Sequence, residues 1–300
     1  MILQSKLFKT GLFFLLSILH VPVSAQNFQL AGFSFTRMPG AQIIDSPENQ
    51  VIKTNEYNFF VNIPLSLKNE KTIFINGIQY KAVTPFSEND LISIDGQNLH
   101  LISYRFTVVQ AFKKNWLGAL VINPTLSSTF NSMLERDDLI MSGAIQFSKQ
   151  KSDNFSYGFG IARTTRFGEL LILPTLDLTK KFKKSTLRIA LPRHVLFDYN
   201  FGKVDAGFQV ALDGSEYNVN HSELNEANEG EPVDKFAYSR ILLGPKIGYH
   251  LKGMIRLEVS GGIVSNRSIE LNGELFRNEI FEVAGAPFFQ FGIVLIPPKK

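Results

Sequence analysis

Arg240, Lys246, His250, Arg256 and Glu258 are spaced so that extended strands would bring them to one face of a hairpin. Charges enclosed in that way either line a pore and select ions, or neutralise one another and fill space. His250 on such a face could also act as a general base, because a Ser–His pair can be assembled from separate strands. The remaining mature histidines, His100, His194 and His221, show no metal-ligand spacing. No phosphate loop, dinucleotide fingerprint or nucleophile elbow occurs in a suitable setting, and Gly158-Phe159-Gly160 sits inside an alternating run. No catalytic, cofactor or metal residue is therefore assigned. Glu223, Glu226, Glu229, Glu231 and Asp234 could offer oxygens to calcium, but they lack the EF-hand pattern and read as a solvated loop. Lys180, Lys181, Lys183 and Lys184 form a basic turn whose ordinary use is solubility, with an acidic partner as the other use.

The elements that must position these residues are strands. Tyr57, Phe59, Val61, Ile63 and Leu65 alternate with Asn58, Phe60, Asn62 and Pro64. Phe155, Tyr157, Phe159 and Ile161 alternate with Ser156, Gly158, Gly160 and Ala162. The same period appears in Leu139–Phe147, Val204–Leu212, Arg240–Leu251 and Ile255–Ile263. Large apolar groups on one face, with small or charged ones on the other, suit a barrel wall with lipid outside. The repeated glycines imply crowding or bending on the inner side. A soluble sandwich also alternates, but these segments approach the ~9–11 residues that a tilted spanning strand needs.

Short polar turns at Lys68–Lys71, Lys113–Asn115, Lys151–Asn154, Phe182–Ser185, Gly202–Lys203 and Lys252–Gly253 occupy one end of the hairpins. Longer polar segments at Pro39–Gln50, Pro85–Asn98, Asn131–Asp137, Asn218–Lys235 and Arg267–Phe281 occupy the other. That rhythm predicts 14 strands, or 12 without the sharp turn at Leu191-Pro192-Arg193, with both termini in the periplasm.

Lys6 and Lys9, an apolar run from Gly11 to Leu19, and Val23-Ser24-Ala25 predict a cleaved signal peptide over residues 1–25. Residues 26–300 are then one all-β domain, a closed antiparallel transmembrane β-barrel of 12–14 strands. Its address would be the outer membrane of a Gram-negative envelope, with outer-membrane lipid and the barrel assembly machinery as partners. Removing Lys6 and Lys9 lowers the formal charge of +4 by their two charges, so nothing favours nucleic-acid binding. The absence of cysteine excludes disulfides, thiolate metal sites and a lipoprotein anchor. Phe, with 27 copies, is the unusual residue and is suited to a lipid-facing surface.

Between Phe155 and Tyr217, Tyr157-Gly158-Phe159-Gly160, Phe167-Gly168-Glu169, Leu173-Pro174, Leu191-Pro192, Tyr199, Gly214 and Tyr217 resemble a family of outer-membrane β-barrels, the DUF6268 type. The resemblance implies the barrel and brings no catalytic or ligand residues. The gliding and secretion-associated PorP/SprF barrels are a weaker likeness. The functions open at this point are a passive channel or structural barrel, which is favoured, a lipid-modifying barrel enzyme, and an assembly or secretion partner. No cargo is implied. Gln290–Leu295 has the polar-x-Gly-x-x-hydrophobic form of a barrel assembly signal, although Pro297-Pro298-Lys299-Lys300 follows it.

Overall fold

A backbone in lipid must pair its N–H and C=O groups within the protein, and hairpins that close on themselves achieve this. The computed structural model describes residues 28–44, 50–69, 71–87, 98–131, 133–219, 234–251, 253–272 and 279–297. The leader expected over residues 1–25 and the acidic residues of the 220–233 segment lie outside the described residues.

Among the described residues the strands are β1 (Ala31–Gln42), β2 (Val51–Ser66), β3 (Thr72–Ser87), β4 (Leu99–Ala111), β5 (Trp116–Ser128), β6 (Leu139–Ser152), β7 (Phe155–Thr164) and β8 (Leu171–Lys181). They continue with β9 (Ser185–Leu191), β10 (His194–Asn200), β11 (Val204–Asn218), β12 (Lys235–His250), β13 (Ile255–Asn272), β14 (Glu279–Val283) and β15 (Ala286–Leu295). Each strand from β1 to β13 pairs antiparallel with its chain neighbour, and β15 pairs with both β13 and β1. The ring is closed by Ala31 opposite Leu295 and Arg37 opposite Phe289. The internal assembly motif, Gln290–Leu295, lies in this closing strand. Strand β14 continues the line of β15 beyond residues 284–285, pairs with Arg267–Leu271 of β13, and meets Ile43 through Val283. The wall is therefore a 14-strand barrel in which β14 and β15 form one interrupted stave. This is the upper number expected from the hairpin rhythm. The sharp turn at Pro192-Arg193 is present between two seven-residue strands.

The outward row is apolar. Ile145 is 55% exposed, Ile161 58% and Ile172 69%, and Phe59, Phe147, Phe159 and Phe208 share the same surface. In water each would forgo roughly 1.5–3 kcal/mol of burial, whereas lipid removes that cost. No helix among the described residues is long and apolar enough to cross a membrane. On the inner side, a Cβ on Gly160 would lie 2.2 Å from the Ile145 carbonyl oxygen of β6. The glycine thus permits tight coiling of adjacent strands.

Two expectations need correction. Several segments read as loops continue as paired strand: β1 runs to Gln42, β3 to Ser87 and β13 to Asn272, and residues 279–283 form β14. Polar sequence ends the apolar alternation there but not the hydrogen-bond ladder, because wall beyond the lipid needs no greasy face. Large apolar side chains also do not all point outward. At the end that carries the longer connections, Ile52, Val83, Leu99, Tyr217 and Phe236 pack into a buried cluster.

Candidate functional site

Unequal strand lengths set up the interior. Strand β10 pairs with β11 only as far as Ala211, so Asp213–Asn218 rise without a β10 neighbour. This stretch leans to β5, with β6 to β10 passed over. Asn218 bridges Ser128 in parallel, Thr129 N–H donates to the Asn218 carbonyl at 3.1 Å, and Ser127 Oγ donates to the Glu216 carbonyl at 2.5 Å. The β7–β8 connection closes on the same edge. A Cβ on Gly214 would stand 2.3 Å from the Arg166 carbonyl oxygen and 2.7 Å from that of Tyr238, so only glycine fits. Phe167-Gly168-Glu169, Gly214 and Tyr217, which carry the family resemblance, therefore converge on this crossing. The crossing divides the loop end of the bore into two arcs.

One arc is sealed. Above it lies the apolar cluster, with Tyr217 fully buried. Below it, Arg240 of β12 donates to Glu56 of β2 at 2.5 Å and to Asp213 of β11 at 2.5 Å. Lys81 of β3 stands 3.5 Å from Glu56 and 3.4 Å from Asp213, and donates to Tyr238 Oη at 2.6 Å. Both cations lie over the Tyr238 ring, at 5.3 Å for Lys81 and 4.7 Å for Arg240. Arg240 is 2% exposed and Glu56 5%. Two cations and two carboxylates thus form a strut across the bore, with each desolvated charge answered by an opposite one. Arg267 adds a hydrogen bond to Thr54 at 3.1 Å.

The other sequence-selected residues lie in separate groups toward the turn end. Lys246 stands 3.3 Å from Asp198, which also takes a close contact from Arg188. His250 is hydrogen-bonded to Asp205, with Arg256 at 3.6 Å from the same carboxylate and 3.3 Å from Glu258. Beside these groups is a cavity of about 180 Å³ lined by Asn58, Gln209, Lys246, Arg256, Glu258 and Gln290, among others. Among the described residues no serine is hydrogen-bonded to His250. Among the described residues no three His, Asp or Glu side chains are grouped to hold a metal ion.

The second arc, walled by β5 to β11, contains Arg166 and Arg193, and Arg105 borders it from β4 beside the crossing; alternation singled out none of the three. Arg105 of β4 shares the inward row with buried Ser103, while Ile102 and Tyr104 face out at 43% and 44% exposure. Arg105 is nevertheless an exposed residue on this inward row. Arg166 of the β7–β8 connection donates to the Leu212 carbonyl at 3.1 Å. The carbonyl of Arg193, in the β9–β10 turn, accepts from Leu212 N–H at 2.9 Å. Leu212 thus holds both residues on one edge. Arg105 and Arg193 lie within Coulombic reach of Arg166 and of each other, and Asp177 is the carboxylate that acts on Arg193. Neither the Arg105 nor the Arg193 guanidinium has a hydrogen bond or ion pair among the described residues. Only the inward parity of Arg105 was available from sequence, since Arg166 and Arg193 sit in connections with no period to read.

A closed ring with an apolar belt and a polar, partly filled interior defines the outer-membrane class of β-barrel. The structure is similar to the COG4313 outer-membrane channel of Pseudomonas putida F1, at 7% identity, over 88% of this chain and 94% of that one, with a TM-score of 0.42. It is also similar to outer membrane phospholipase A from Escherichia coli, at 8% identity, over 90% and 93%, with a TM-score of 0.35. The β domain of the Bordetella autotransporter BrkA matches at 8% identity, over 90% and 100%, with a TM-score of 0.35. A search of curated proteins found no match. The chain belongs to the family described as a domain of unknown function, DUF6268, whose model matches residues 23–295.

Proposed function

We propose that this protein is exported by its leader, assembled into the outer membrane by the barrel assembly machinery, and acts there as a narrow passive channel. The observation that carries the reading is the contrast across the bore. The Arg240–Glu56–Asp213–Lys81 strut fills one arc, while Arg105 and Arg193, exposed and without an ion pair among the described residues, border the other. A barrel of purely structural use could pair or pack its enclosed charges throughout. A path along the second arc, bounded by β5 to β11, is narrower than the whole ring, so the unit conductance is small. Folded protein should fractionate with outer membranes, change mobility on boiling, and give discrete small steps in a planar bilayer. Correctly folded protein that leaves the bilayer silent at every voltage and salt concentration would return the reading to a structural barrel.

A further inference from the structure

Lysines occupy the turn end, at Lys68, Lys113, Lys151, Lys183 and Lys203. Arginines occupy the inner edge of the second arc, at Arg105, Arg166 and Arg193. Lysine is a compact, strongly hydrated point charge that suits a wet rim. Arginine presents a planar fork of donors that matches two oxygens of one oxyanion. Three forks gathered on three different elements, two of them without a hydrogen bond or ion pair among the described residues, leave donors free for an acceptor from outside the chain. The carboxylate of Asp177 is partly engaged, because Gln146 Nε2 donates to it. Leu212 fixes the Arg166 guanidinium through its carbonyl and the Arg193 backbone through its N–H, so both residues stay on this edge.

We infer that Arg105, Arg166 and Arg193 form an oxyanion-binding site inside the barrel, fitted to phosphate or to a small phosphate monoester. The site faces the bore and not the lipid, so its ligand arrives from water. The inference rests on the channel reading only in needing water to reach this arc from one mouth. Passage through the barrel is a separate property.

The test is isothermal titration of inorganic phosphate into the folded, detergent-solubilised barrel at constant ionic strength, with glycerol phosphate as a second probe. Wild-type protein binds, and Arg105→Gln and Arg193→Gln each weaken binding by about tenfold, the usual weight of a charge-assisted hydrogen-bonding partner. Lys203→Gln, on a turn, leaves binding unchanged. Arg105→Lys keeps the charge but loses the fork, and binds several-fold more weakly than wild type. If Arg105→Gln does not fold, judged by mobility before and after boiling, Arg105→Lys and Arg193→Gln carry the test. Wild-type protein that takes up no phosphate, or folded variants that bind it as wild type does, overturns the inference. Bilayer recording on the same preparations separates the two readings. A conducting barrel without phosphate binding sinks only the site, and phosphate binding by a silent barrel sinks only the channel.

Discussion

The two arcs of the bore use similar residue types to opposite ends. In the sealed arc, Arg240 and Lys81 meet Glu56 and Asp213, and the pairs are roofed by Tyr217, Phe236 and Tyr238. In the open arc, Arg105, Arg166 and Arg193 share an edge on which Asp177 acts on Arg193 and Asp213, already held by the strut, on Arg166. Wall height separates the arcs. Strands β2, β3 and β12 have 16 residues and β13 has 18, so the sealed arc stands tall enough to enclose a core of its own. Strands β9 and β10 have seven, and the open arc has little wall to lean inward. The step between β10 and β11 leaves an unpaired edge, which crosses to β5 to satisfy its hydrogen bonds. What fills a barrel is thus set by where its staves stop, as much as by which side chains point inward.

The largest effect that would sharpen this contrast is Arg240→Ala. It leaves buried Glu56 and half-buried Asp213 with Lys81 as their remaining ion-pair partner among the described residues, and should cost ~3–5 kcal/mol, as breaking a buried ion pair does. Urea unfolding followed through Trp116, the single tryptophan, measures the loss. Arg188→Ala, which breaks the half-buried contact with Asp198, should cost clearly less. Equal costs would erase the distinction between a strut and a wall. Next is Ile145→Lys on the lipid face, which should destabilise the barrel by ~2–4 kcal/mol if that side chain sits near the bilayer midplane. A change near zero, as on a water-exposed surface, would break the inside-out reading of both arcs. Gly214→Val should cost ~1–3 kcal/mol, because the new side chain meets the backbone oxygens of Arg166 and Tyr238. It should also loosen the crossing strand and raise unit conductance. Stability lost with conductance unchanged would mean that the crossing does not bound the path.

Lipid made most of the fold legible in sequence. Phe59, Ile145, Phe159 and Ile263 must be apolar because acyl chains surround them, and that requirement imprints period two on the chain. The signal fails where lipid ends. Gln42, Ser87 and Asn272 remain in strands, yet nothing about their polarity distinguishes a paired wall from a loop. The interior was less legible because its partners are remote in sequence. Arg240 could be placed on an inner face from parity alone, but its carboxylates come from β2 and β11. Gly168, Gly214 and Tyr217 carry the family resemblance, while their physical use emerges only where β11 leaves β10 and meets the β7–β8 connection. Arg166 and Arg193 were unreadable, because a residue in a connection has no alternation to declare its direction.

The smallest expected effect is also the finest probe of the boundary between the arcs. Lys246 is one of the residues singled out from sequence, and it lies beside the cavity at 3.3 Å from Asp198. Arg188 shares that carboxylate, so this trio carries one more positive charge than negative. Lys246→Gln leaves Arg188 and Asp198 as a matched pair and removes the surplus. Stability should change by no more than ~1 kcal/mol, as expected for a partly solvated ion pair. The reversal potential in a salt gradient should move toward cation preference, by less than Arg105→Gln moves it, because Asp198 already offsets part of the Lys246 charge, whereas Arg105 has no ion pair among the described residues. If Lys246→Gln produced the larger shift, the selecting charge would lie at the turn end of the bore, and the arginine edge would be a vestibule to it.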